Sequence, residues 1–157
     1  MSERTSELAT ALGFIAGEGS FSIVKNTSNS KPYVGFRFDL QVDAKDGAVV
    51  DKMQEVFDGL GTVRHRARSD GREHVAWTVT GKDNLEAFRD IVASYDGPVW
   101  TATEKYANFE VWSDALDIYL DGRTGDEQQI QIARLAKGLN KGFGEQKWDE
   151  FIEDRQT

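Results

Sequence analysis

Between Val34 and Val42 the chain alternates without a break. Val34, Phe36, Phe38, Leu40 and Val42 fall on one parity, and Gly35, Arg37, Asp39 and Gln41 on the other. A period of two sends successive side chains to opposite faces, so this segment is a half-buried strand with one polar face. Such a strand needs neighbours. Segments 62–68 and 74–80 supply two of them, joined by Ser69-Asp70-Gly71, whose Asp-Gly pair is a strong hairpin signal. Another begins where Phe21 and Ile23 alternate with Ser20 and Ser22, and Asn26 to Pro32 has the composition of a loop.

Helical spacing fills the intervals. Residues 6–17 predict a helix with Thr5 or Ser6 at its N-cap and Gly17 and Gly19 at its end. Val49, Met53, Val56, Phe57 and Leu60 recur at helical spacing until Gly59 and Gly61 stop the helix, and Leu85, Phe88, Ile91 and Val92 line another. A further helix is expected from Thr101, where Thr101-x-x-Glu104 forms a capping box ahead of Phe109, Trp112 and Leu116. The acidic loop Asp121 to Asp126 leads to a tail of two helices, about 127–139 and 145–154, the second carrying Trp148, Phe151 and Ile152. This order predicts an α+β fold, an antiparallel sheet covered by helices on one face. The other face would carry Arg37, Gln41, Arg64, Arg66 and Arg68. At 157 residues, one domain is expected, with its core over about 6–120 and a C-terminal helical extension over about 121–157.

Composition removes several classes of function. With no cysteine, disulfides, thiolate metal sites and Cys nucleophiles are excluded. No apolar run reaches the roughly 18–20 residues of a membrane span, and Met1-Ser2-Glu3-Arg4 does not open a secretory signal. The expectation is a cytoplasmic, intracellular protein with no membrane partner. The net charge of −8 argues against a polyanionic partner until it is divided along the chain. Residues 20–42 and 61–82 hold eight Lys and Arg against three acids, a balance of +5, which leaves −13 for the rest. The positive segments are those read as strands. An acidic body thus carries a basic sheet, and a salty cytoplasm would account for the acidity by itself.

The first helix carries the chemistry. Ala9, Gly13 and Gly17 are four apart and stack on one face, where another backbone can approach closely. Gly inside a helix costs about 1 kcal/mol relative to Ala, so Gly13 calls for a reason, either a second helix or a buried packing on its own sheet. Glu18 lies between Gly17 and Gly19 at the negative end of the helix dipole. By spacing alone it is a solvated surface charge. If two such helices met, two carboxylates would arrive together and repel unless a proton or a divalent metal lay between them, and oxygen-only ligation favours Mg²⁺.

Ala11-Leu12-Gly13-Phe14-Ile15-Ala16-Gly17-Glu18-Gly19-Ser20-Phe21 resembles the signature of the LAGLIDADG homing endonucleases, whose members often read Leu-Ala-Gly-Phe-Ile-Asp-Gly-Glu-Gly-Ser-Phe. The resemblance covers roughly residues 8–118, taking in the strand from Phe36, Leu60-Gly61, the Arg-rich hairpin and Lys105-Tyr106-Ala107-Asn108-Phe109. It implies an αββαββα domain with a saddle-shaped sheet, and the single motif copy implies a homodimer packed through Ala9, Leu12, Gly13 and Ala16. Further implications are Mg²⁺ (with Mn²⁺ as a substitute) bound by Glu18 of each subunit with the Gly17 carbonyl, two-metal hydrolysis of double-stranded DNA, and readout by Lys25, Arg37, Gln41, Arg64, Arg66 and Arg68. Gln41 matches a base-contacting position, where its amide can pair with adenine.

The sequence also departs from the pattern. Ala16 stands where Asp is common, and Ala11 replaces the first Leu. Thr103 aligns with a basic residue that helps polarise the site in family members, and Lys105, two residues on, is taken for that role. His65 and His74 match no His-metal nuclease spacing, and His65 is read as a structural residue on the core side. Two other readings stay open. One is a non-catalytic nucleic-acid binder on the same fold, an intron maturase with intron RNA as partner or a regulator. The other is a protein-interaction domain using the small-residue helix and Trp148/Phe151.

Overall fold

A computed structural model describes residues 2–26, 31–67, 69–122, 125–139 and 145–156. Arg68, part of the Asn26–Pro32 loop and part of the acidic loop therefore lie outside the described residues. The elements run α1 (Glu3–Glu18), β1 (Gly19–Asn26), β2 (Tyr33–Asp43), a 3₁₀ turn (Ala44–Asp46), α2 (Gly47–Val56), β3 (Thr62–Ala67), β4 (Glu73–Val79), α3 (Lys82–Ala93), α4 (Pro98–Thr101), α5 (Glu104–Leu120), α6 (Asp126–Ala136) and α7 (Glu145–Gln156). The four strands form an open antiparallel sheet in the order β1-β2-β4-β3. Among the described residues no helix is long and apolar enough to cross a membrane.

The chain divides into two compact units. The first comprises Met1–Ser20 and Arg37–Tyr106, the second Phe21–Phe36 and Ala107–Thr157. In the first, the alternation of β2 settles the layers. Leu40 is in register with Trp77, which pairs with Val63, and Val42 with Val75, which pairs with His65. This parity faces the helices. Phe88 of α3 lies 4.5 Å, centroid to centroid, from Phe38 and 4.9 Å from Phe57, and Trp77 joins the same aromatic cluster. Asp58 has φ 57° and Gly59 φ 76°, so the chain leaves α2 through left-handed backbone before Leu60, whose carbonyl accepts the Trp77 indole N–H at 2.9 Å. The helix expected to reach Leu60 therefore ends at Val56.

The second unit has its own aromatic core. Phe21 stands 5.2 Å from both Phe109 and Trp112, and the Trp112 indole donates to the Ser22 carbonyl at 3.0 Å. Gln129 of α6 is buried and its side-chain oxygen accepts the Val34 N–H at 2.9 Å. Trp148 and Phe151 of α7 are 3% and 2% exposed. They are core residues, which corrects the reading that made them a contact surface.

Three helix starts differ from expectation. The N-cap of α1 is Ser2, whose hydroxyl accepts the Thr5 N–H, so Thr5 and Ser6 lie inside the helix. Before α5 the capping side chain is Thr103, which accepts the Tyr106 N–H at 3.1 Å. Thr101 instead closes the one-turn α4 that Pro98 opens, and the expected Thr101 capping box does not form. The tail helix α6 starts after Gly125 with Asp126, one residue earlier than its periodicity suggests.

Candidate functional site

Helix α1 has two unlike faces. Leu8, Ala11, Leu12 and Ile15 are buried, and Leu12 and Ile15 have no exposed surface. On the other side Gly13 and Gly17 are exposed, and a Cβ built on either meets nothing within 4 Å. Ala9 and Ala16 flank this stripe, half-buried. The expected contact set is thereby split: Leu12 belongs to the chain's own core, since a side chain without exposed surface cannot meet a partner. Nor is Gly13 explained by packing on its own sheet. Phe14, at 38% exposure, borders the open stripe and is a surface residue that helix periodicity could have revealed. It lies one turn before Glu18, on the same side.

Glu18 ends the helix, exposed and without a hydrogen-bond or ion-pair partner among the described residues. Gly19 follows as C-cap and donates its N–H to the Ile15 carbonyl. A Cβ there would stand 2.9 Å from both Ile15 Cγ2 and Ile15 O, so the turn from helix to strand requires glycine. The Lys105 ammonium, from the first turn of α5, donates to the Gly19 carbonyl. An acid and a base are thus brought to the same helix end, where a cation offsets both the dipole and the carboxylate. Thr103, aligned with the family's basic position, is occupied in capping.

A groove of about 610 Å³ runs past this point, bordered by Gly13, Gly17, Glu18, Gln41, Asp43 and Asp46. Among the described residues no three His, Asp or Glu side chains converge to hold a metal ion. The donors available at the helix end are the Glu18 carboxylate and the last-turn carbonyls beyond Ile15, whose own carbonyl accepts the Gly19 N–H. That all-oxygen set fits a hard divalent cation needing further ligands from outside one chain.

The polar parity of the sheet in the first unit forms three rows. Asp39 pairs with Thr78 and Thr78 with Thr62, Gln41 with Ala76 and Ala76 with Arg64, and Asp43 with His74 and His74 with Arg66. Gln41, Arg64 and Arg66 are exposed and have no partner among the described residues. Arg37 lies on the same parity. His65 takes the core parity but is exposed, because β3 is an edge strand. His74 takes the polar parity, with Nδ1 buried and without a partner among the described residues. Lys25 belongs to the second unit and shares the parity of Phe21 and Ile23, away from that of Ser20 and Ser22.

Residues 11–116 match the model of the LAGLIDADG endonuclease family. The chain belongs to that family. The match begins at the first motif residue, Ala11, and ends in α5, so the motif part of α1, the whole sheet and Lys105 fall within it. The family is one of DNA endonucleases. Solved LAGLIDADG structures share the fold. The homing endonuclease I-TnaI is similar with a TM-score of 0.76 at 20% identity, over 94% of this chain and 97% of that one. I-GzeII in complex with its DNA target gives 0.76 at 18%, over 92% and 48%. I-SmaMI bound to cleaved DNA gives 0.77 at 21%, over 94% and 48%. The chain therefore spans nearly all of I-TnaI but about half the length of I-GzeII and I-SmaMI. No curated protein sequence matches it.

Proposed function

We propose that two copies of this chain form a site-specific, double-strand DNA endonuclease of the homing type. The observation that carries the reading is the bare Gly13/Gly17 face of α1 running into an exposed Glu18 without a partner among the described residues. A face without side chains lets a second α1 approach at backbone distance, and it delivers the two Glu18 carboxylates together. Length supports the pairing, since two copies equal one I-GzeII or I-SmaMI. Phe14 and the flanking Ala9 and Ala16 would complete the contact.

In this reading Glu18 and the Gly17 carbonyl hold Mg²⁺, for which Mn²⁺ can substitute. When bound, the metal polarises the phosphodiester and lowers the pKa of attacking water. Lys105 fixes the Gly19 carbonyl and adds positive charge beside the scissile phosphate, which favours the developing negative charge. Arg64 and Arg66 contact phosphate or guanine, and Gln41 suits adenine. Arg37 adds positive charge to the DNA surface.

Glu18→Gln keeps shape and removes the charge. It should bind the target duplex normally while Mg²⁺-dependent cleavage falls roughly a thousandfold, equivalent to the several kcal/mol a metal ion contributes. Undiminished cleavage would remove Glu18 from the chemistry. Ala16, in place of the common Asp, favours a second reading: a non-catalytic binder of DNA or intron RNA on the same fold. Binding without metal-dependent cleavage by the native protein would select it.

A further inference from the structure

The polar face of β2 carries an ion pair for which the reaction above has no use. Arg37 and Asp39 are two residues apart on one strand, so both side chains leave the same face. Asp39 Oδ2 lies 2.6 Å from Arg37 Nε. The second oxygen, Oδ1, accepts a hydrogen bond from the Thr78 hydroxyl at 3.0 Å, and Thr78 is the residue in register with Asp39 on β4. The carboxylate is therefore tied at both oxygens. Its side chain is 23% exposed, against 48% for that of Arg37.

For stability alone this arrangement does little, since exposed ion pairs contribute weakly. On a surface that meets a polyanion, a carboxylate also repels. The atom engaged on Arg37 gives the pair its meaning. A carboxylate at Nε orients the guanidinium plane and leaves both Nη groups available, and Arg37 has no other partner among the described residues. Two Nη donors side by side match the O6 and N7 acceptors of guanine. Arg64 and Arg66 have no such anchor among the described residues.

We infer that Arg37 reads a guanine in the bound duplex, with Asp39 as its positioning residue and Thr78 as the hydroxyl that holds Asp39. This rests on the DNA-reading role proposed for the sheet. Fixing the guanidinium in advance reduces the entropy lost on contact and narrows the choice of base. Asp39 then acts against general affinity and in favour of one base pair.

The test is selection of bound and cleaved sites from a random duplex library with Mg²⁺, using the full-length native protein, Arg37→Ala, Asp39→Ala, the double variant and Thr78→Val. The native protein should select a guanine with roughly tenfold or greater preference at one position in each half-site. Arg37→Ala and Asp39→Ala should both lose that preference, the double variant should lose no more than Arg37→Ala, and Thr78→Val should lose part of it. Asp39→Ala should also bind non-specific duplex more tightly, with Tm unchanged, a sign opposite to that of a merely structural loss. Thr78→Val carries the test if Asp39→Ala fails to fold. The inference is overturned if Asp39→Ala and Thr78→Val select the native sites, or if Asp39→Ala loses a base preference that Arg37→Ala keeps. A native protein that binds no duplex at low salt ends the DNA reading itself, and the inference with it.

Discussion

The two units differ in how several of their polar side chains are used. In the second, Gln129, Trp112, Lys137 and Asp126 have partners within the chain. Gln129 caps the Val34 N–H, Trp112 donates to Ser22, and Lys137 lies 2.6 Å from Asp149. Asp126 receives Lys31 at 2.9 Å and Arg155 at 2.6 Å, and the Lys31 ammonium, joined by Arg155, holds its carboxyl below the usual carboxylate range. In the first unit Glu18, Gln41, Arg64 and Arg66 stand exposed without partners among the described residues. The abundance of charge is similar, but its disposition differs. Polar groups satisfied internally build a scaffold, whereas groups left to water can exchange that water for a ligand at little cost. In the proposed reading, the exposed groups of the first unit meet DNA and the partnered groups of the second support the fold.

That contrast can be broken at either end. The largest effect should come from Trp112→Ala, which empties a fully buried site and removes the indole hydrogen bond to the Ser22 carbonyl. A loss of about 3–5 kcal/mol in urea unfolding is expected, and a loss below 1 kcal/mol would deny the second unit its scaffold role. Arg66→Glu should do the reverse. Its unfolding free energy should stay within about 0.5 kcal/mol of native, while duplex affinity at low salt falls roughly tenfold and the salt dependence flattens. Unchanged affinity would take β3 out of the interface. The smallest effect concerns Asp126. A carboxylate held below its unfolded pKa of about 3.9 adds stability above that pH, and the contribution is lost as pH falls through the lowered value. Acid titration of unfolding should thus be shallower in Asp126→Asn than in the native protein, and parallel curves would show the Lys31 and Arg155 contacts to be energetically idle.

Much of the fold was legible because β2 alternates strictly and its outer face is polar, which located the sheet, its register parity and the positions of Gln41, Arg64 and Arg66. The end of the motif helix was legible too, through Gly17-Glu18-Gly19. Other features depended on contacts that local sequence does not encode. Thr101 and Thr103 both precede suitable helical residues, and only the one-turn α4 decides which of them caps α5. Leu12 looks like a motif residue available to a partner until the core closes over it. Lys25 counted as basic surface by charge, but its parity is that of Phe21 and Ile23. The Arg37–Asp39 pair was visible as an i, i+2 spacing, yet its meaning needed Thr78, which arrives from β4.

The decisive measurement is sedimentation equilibrium of the native protein and Gly13→Leu, in Mg²⁺ at the salt where duplex is cleaved. A Cβ at Gly13 meets nothing within 4 Å among the described residues, so the substitution should leave the fold intact and obstruct only an incoming helix. The expected result is a native species at twice the 17.6 kDa chain mass and a folded Gly13→Leu variant at the chain mass, bound weakly to DNA and inactive. A native protein that cuts both strands as a 17.6 kDa monomer, or a Gly13→Leu variant that still pairs and cuts, would contradict the meeting of two Glu18 carboxylates through the open face of α1.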